Sequence, residues 1–271
     1  MIVGSLIARI LFQPLEESSR LYFSRQLSSP SPSLSSLTLS STLLSLLLLL
    51  QTHLFLIFSL LLPSYTTPAL YHLLGSRWSG TSAPRILGWY VGSYLPLMGI
   101  NGVSEAFFQS AAEGIWLVRG GRWWGVCSVV FVGLCAAEYW RSRALGGGVG
   151  GGVGEVQLIG INCVGMMMRI GFSYSFIRSY FSTKLALLSP SPPSTTTTTS
   201  SPSSPLIEIA SIESHLSPRT FLPKIPTIVI FVVGGYLVRR SEYENDWRGL
   251  SGLLRHGAVG AGVGLAGLGM M

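Results

Sequence analysis

The sequence predicts an all-α protein, a polytopic transmembrane helical bundle of about five to six spans. Three observations carry that expectation. Of the 271 residues, 48% are hydrophobic and only 11% are charged, whereas a soluble domain carries about 25% charged residues. Five apolar runs approach the roughly 20 residues that a helix needs to cross a hydrocarbon core of about 30 Å. The basic residues lie mostly in short connections between those runs, as membrane flanks do. The net charge of +7 therefore reads as flanking charge, and no nucleic-acid partner is expected.

Taken in order, residues 1–25 read as a partial transmembrane helix with a polar flank. Met1 to Phe12 is apolar over only about half a span and runs into Gln13-Pro-Leu-Glu-Glu17. Residues 26–41 form a Ser/Pro-rich loop. The run 42–62 is almost all leucine, broken by Ser45, Gln51-Thr-His53 and Ser59 and stopped by Pro63. The next runs are 86–112, which contains Pro96; 123–140, with tryptophan at both ends and Arg141 and Arg143 just outside; and 156–177, which carries Arg169. The Gly/Val-rich 144–154 and the Ser/Thr/Pro-rich 179–220 are low-complexity connections that cannot bury enough apolar surface to fold alone. A last span, 221–238, ends in Arg239-Arg240, and a Gly-rich apolar C-terminus, 257–271, follows. Glycine costs about 1 kcal/mol per helical position relative to alanine, so that tail is not expected to be a stable span. Lys and Arg divide evenly between alternate connections and set no orientation.

Ionisable side chains inside apolar runs are the informative ones, because they cost several kcal/mol unless they face a cavity or a partner. Asn101, Glu105 and Gln109 recur every four residues and share a helix face. Asn162, Arg169 and Ser173 share a face of the run 156–177. Arg9, Gln13, Glu16 and Arg20 do so near the start, with Glu17 beside them. Two readings stand together. One is a polar interior whose arginines meet an anionic substrate, since the guanidinium fork binds phosphate bidentately. The other is a helix-joining ion pair of Glu105 with Arg9 or Arg169. For Glu16, Glu17 and Arg20 a solvated ion-pair cluster at a helix end is the competing reading. Gly146-x-Gly148-x-x-Gly151 and Gly262-x-Gly264-x-x-Gly267 lack the strand–turn–helix context of a dinucleotide site. His53, His72, His215 and His256 are scattered, and Cys127, Cys135 and Cys163 have no metal-ligand spacing. No catalytic residue, metal or cofactor is expected, and the chain reads as no enzyme.

Three stretches resemble the Rft family of eukaryotic membrane proteins. They are Gly4-Ser-Leu-Ile-Ala-Arg-Ile-Leu-Phe-Gln-Pro-Leu-Glu-Glu-Ser-Ser-Arg20-Leu-Tyr-Phe23, Tyr94-Leu-Pro-Leu-Met-Gly-Ile-Asn-Gly-Val-Ser-Glu-Ala-Phe107 and Asn162-Cys-Val-Gly-Met-Met-Met-Arg-Ile170, the last followed by Ser175-Phe-Ile-Arg178 and Tyr180-Phe181. Leu74-Gly-Ser-Arg-Trp78 fits the connection before 86–112. The resemblance implies one lobe of a transporter of the multidrug/oligosaccharidyl-lipid/polysaccharide exporter superfamily, in which two helical lobes alternate access to a central cavity. It also implies a multi-pass protein of the endoplasmic reticulum membrane that flips a dolichyl-pyrophosphate-linked oligosaccharide for asparagine-linked glycosylation. The implied partners are that glycolipid and the lipid bilayer. Arg9 and Arg169 would meet the pyrophosphate, and Asn101, Glu105 and Gln109 the sugar hydroxyls. Alternative readings are a scaffold that supports the glycosylation machinery without transporting, and a drug/proton antiporter of the same superfamily, with Glu105 as its proton-coupling acid. Gly165 stands where the family pattern has Asn, and the loop after Phe181 is outside the resemblance. The blocks match the C-terminal half of a family member, so a fragment of a longer protein is expected.

Overall fold

The computed structural model describes residues 6, 8–29, 32–144, 154–188, 209–212, 214–245 and 247–269. No strand occurs among them. Most of the expected connection 144–154, and residues 189–208 of the expected connection 179–220, lie outside the described residues.

A π-helical turn, Ala8–Phe12, leads into α1 (Gln13–Leu27). α2 (Leu34–Leu60) begins eight residues earlier than the leucine run suggested, so the Ser/Pro-rich stretch 26–41 is largely helical. Ser33 caps the helix by accepting a bond from the Ser36 N–H at 3.2 Å. Inside α2 the hydroxyls of Thr38, Ser41 and Ser45 donate to backbone carbonyls three or four residues back. These hydroxyls are thereby satisfied within the helix instead of competing with it, while the buried Ser40 hydroxyl has no partner among the described residues. Pro63 lies in a 3₁₀ turn, Leu62–Tyr65, followed by α3 (Thr66–Leu74) and a single turn Ser76–Ser79.

The expected span 86–112 divides into α4 (Ala83–Trp89), a π-helical turn Tyr90–Tyr94, and α5 (Leu95–Ala111). Pro96 lacks an N–H and would break an uninterrupted α-helix. The π turn before it widens the ladder by one residue and lets the chain run on. Pro14 is preceded by the same device, and the two π turns belong to adjoining helices. α6 (Ile115–Ala144) and α7 (Glu155–Leu188) are longer than the runs 123–140 and 156–177. α7 continues ten residues into the expected loop 179–220. After a short turn Pro218–Phe221 come α8 (Ile225–Glu244) and α9 (Leu250–Leu268).

Among the described residues three helices, α2, α6 and α7, are long and apolar enough to cross a membrane. The Gly-rich tail is helical over 19 residues as α9, though it is not one of those three helices. Some of its glycines are used for contact. A Cβ on Gly260 would strike the Tyr65 hydroxyl, one on Gly267 the Phe231 ring, and one on Gly234 of α8 the side chain of Val263. Close approach of α8 and α9 offsets the helix-propensity cost.

α5 is the hub, packed against α1, α2 and α7; α6 lies on α7, and α8 lies on α9 and α2. The main core gathers Phe23, Leu37, Leu44, Phe107, Phe108, Phe176 and Phe181. Phe107 meets Phe23 edge-on at 5.1 Å and stacks on Phe181 at 5.5 Å. These contacts set the azimuth of α5, and therefore where its polar face points.

Candidate functional site

The polar face of α5 is a connected chain of hydrogen bonds. Asn101 Nδ2 donates to Glu105 Oε2 at 3.0 Å, and Gln109 Nε2 donates to Glu105 Oε1 at 3.3 Å. Arg169 of α7 reaches across to the same Oε1 at 3.2 Å. From α1, Arg20 Nη1 donates to Gln109 Oε1 at 3.3 Å, and the Ser110 hydroxyl donates to the Arg20 carbonyl at 3.0 Å. Glu105 thus joins α5 to α7, and Gln109 and Ser110 join α5 to α1. Glu105 keeps 14% of its side-chain surface exposed and Arg169 38%, so the pair sits at the edge of the bundle rather than deep inside.

Glu16 lies over Gly102, where a Cβ would come within 2.9 Å of its Oε2. It is close enough for the charges of Glu105, Arg20 and Arg169 to act on it. Beside it a cleft of about 240 Å³ is lined by Arg9, Phe12, Gln13, Glu16, Met98 and Gly99, among others. Gly99 admits the Phe12 ring and the Gln51 amide so closely that a Cβ would collide with both. Glycine at 99 and 102 is what lets α1 and α2 approach α5.

Of the nine candidate residues, Arg20, Asn101, Glu105, Gln109 and Arg169 come together in the network. Glu16 stands beside it, and Arg9 shares the cleft with Glu16 without a bond to it. Glu17 is exposed and accepts from Gln13 within its own helix at 2.9 Å. Asn162 bonds the Leu158 carbonyl of α7 at 2.9 Å and joins nothing across helices. Of the two pairings open for Glu105, the structure has Arg169. In the sequence Gln51 stands only as a break in the leucine run. It is 1% exposed, and its Oε1 is buried with no partner among the described residues. Two further polar atoms in the network, Asn101 Oδ1 and Arg169 Nε, are also buried without a partner. Among the described residues no group of His, Cys, Asp or Glu could hold a metal ion.

A family model described as Rft protein matches residues 2–242. The chain belongs to the Rft family. Every residue of the network falls inside the match, and α9 lies beyond it. Three relatives each bear the name Man(5)GlcNAc(2)-PP-dolichol translocation protein RFT1. This Rft-family chain is 41% identical to the one from Saccharomyces cerevisiae over 111 residues, which is 41% of the chain and 19% of the relative. It is 32% identical to that of Schizosaccharomyces pombe over 232 residues, 84% of the chain and 40% of the relative. Against Xenopus tropicalis it is 31% identical over 199 residues, 70% of the chain and 34% of the relative. The chain therefore matches well under half the length of these relatives. No solved structure matches it.

Proposed function

We propose that the protein acts in flipping a dolichyl-pyrophosphate-linked oligosaccharide across the endoplasmic reticulum membrane for asparagine-linked glycosylation. In this reading it is a multi-pass protein of five to six spans that supplies one lobe of an exporter-type transporter. It makes and breaks no covalent bond. The names of its relatives support the cargo. The observation in the molecule that carries the reading is the network on α1, α5 and α7, where arginine, carboxylate and amide groups sit together among apolar helices.

The chemistry suits such a cargo. Arg169 keeps a guanidinium nitrogen unbonded, and Arg9 borders the cleft, so a pyrophosphate would find cationic donors there. Asn101 and Gln109 offer amides to sugar hydroxyls. The polyprenyl tail stays in lipid. The competition between Glu105 and a pyrophosphate for Arg169 would couple cargo binding to the α5–α7 contact.

The test is reconstitution of the full-length protein in liposomes holding a labelled dolichol-linked oligosaccharide. Movement between leaflets that is lost in Arg169→Ala and Glu105→Ala supports translocation through this site. An unchanged leaflet distribution with the wild-type protein would favour the scaffold. Transport that tracks an imposed proton gradient and accepts unrelated cationic drugs would favour the antiporter. In cells, depletion should accumulate the lipid-linked oligosaccharide and leave secreted proteins underglycosylated.

A further inference from the structure

The N-terminal turns of α6 carry two arginines that the network does not use. Arg119 and Arg122 are both exposed, and neither forms a salt bridge among the described residues. The other end of the same helix is different, for there Glu138 pairs with Arg141 and Tyr139 bonds Arg143. The first turn of α6 holds no acidic residue, and among the described residues Glu113, just ahead of the helix, forms no salt bridge with either arginine. This end of α6 therefore carries a net positive charge.

Its depth follows from helix geometry. Between Arg122 and Arg141 lie 18 residues, about 27 Å of helix, close to the thickness of a hydrocarbon core. Arg122 thus stands at one membrane–water boundary. Tryptophan marks the same level: the Arg119 guanidinium lies 5.2 Å from the centre of the Trp116 ring, and Trp123 Nε1 donates to the Met168 carbonyl at 3.1 Å, pinning this end of α6 to α7. Indole rings concentrate at such boundaries.

Below the arginines the helix offers a place for a hydrocarbon chain. Only 11% of the apolar window of α6 is buried, against 33% for α2. Val129 is 73% exposed and lies about 20° around the helix from Arg122, as the period of 100° per residue requires. At Gly121, Gly125 and Gly133 a Cβ would meet nothing within 4 Å, so this face of the helix is open and carries no side chain at those positions. Cation above and bare apolar face below match the two parts of one kind of molecule.

We infer that this face of α6 binds an anionic phospholipid, its headgroup held by Arg119 and Arg122 and an acyl chain lying along Gly125, Val129 and Gly133. The attraction is one of charge, worth roughly five-fold in affinity per basic residue near the surface. In native mass spectrometry of the purified chain titrated with single lipids, phosphatidylserine should bind about thirty-fold more tightly than phosphatidylcholine. Arg119→Gln/Arg122→Gln should bring the two lipids near parity, and Arg119→Lys/Arg122→Lys should keep most of the preference. Arg141→Gln/Arg143→Gln should leave it intact. Equal binding of both lipids by the wild type would overturn the inference. So would a preference that survives the glutamine pair or is lost equally at the far end of the helix. Binding of neither lipid by the wild type would overturn it too.

Discussion

Glu105 is the residue on which the site turns. It has only two oxygens, and between them they accept from Asn101, Gln109 and Arg169. Removing one partner of a buried ion pair strands the other and costs 3–5 kcal/mol in a closed interior. Here Arg169 is more than a third exposed, so water screens the loss. Glu105→Gln should therefore destabilise the protein by about 1–2 kcal/mol. A double-mutant cycle with Arg169→Gln, read by unfolding in detergent, should show coupling of about 1 kcal/mol. Additive effects would mean the bridge does not hold α5 to α7. Gln51 gives the opposite test. An unsatisfied buried polar group costs about 1–3 kcal/mol, so Gln51→Leu should raise stability, by about 1 kcal/mol. If the amide serves cargo, the same variant should slow translocation. A variant that gains stability and transports as before would leave Gln51 without a role.

At the scale of elements, α8 and α9 show how glycine works both ways within one hairpin. Gly262 and Gly264 have nothing within 4 Å of a Cβ. Substituting alanine at either should stabilise the helix by about 1 kcal/mol through backbone entropy alone. Gly234 and Gly260 face Val263 and Tyr65 at close quarters, and overpacking costs about 1–3 kcal/mol. Gly234→Leu and Gly260→Val should therefore destabilise, and Gly260→Val should also disturb the bond from the Tyr65 hydroxyl to the His256 carbonyl, 2.9 Å long. Thermal unfolding of the four variants should sort them into two pairs of opposite sign. Propensity is a property of a residue, whereas close approach is a property of two helices.

At the scale of the molecule, α6 and α7 make an antiparallel pair of membrane-crossing length. Cysteines placed at Gly114 and Leu188 should react with an impermeant thiol reagent from one side of a sealed vesicle, and one placed at Arg143 from the other. The background for this experiment is the chain with Cys127, Cys135 and Cys163 changed to alanine. Labelling of all three positions from one side would show that the pair does not cross. The arrangement also explains why some site residues were legible beforehand and others were not. Asn101, Glu105 and Gln109 lie on one helix at a four-residue spacing, so the period alone places them together. Asn162 shares a face with Arg169, but seven residues are about 10.5 Å along the axis, farther than its side chain reaches. Arg9 lies within the π turn Ala8–Phe12, which shifts the phase of the helix and leaves Arg9 at the rim of the cleft.

Composition and periodicity, both local properties, were enough to predict a set of helices, three of which are long and apolar enough to cross a membrane, because a helix satisfies its own backbone polar groups. They also marked the polar faces and the residues on them. Which arginine meets Glu105 was decided elsewhere: by the aromatic contacts of Phe107 and Phe108 that turn α5, by the glycines at 99 and 102 that admit its neighbours, and by π turns that no hydropathy pattern displays. An ion pair a few ångströms long depends on the rotation of one helix against another, and that rotation belongs to the packed bundle.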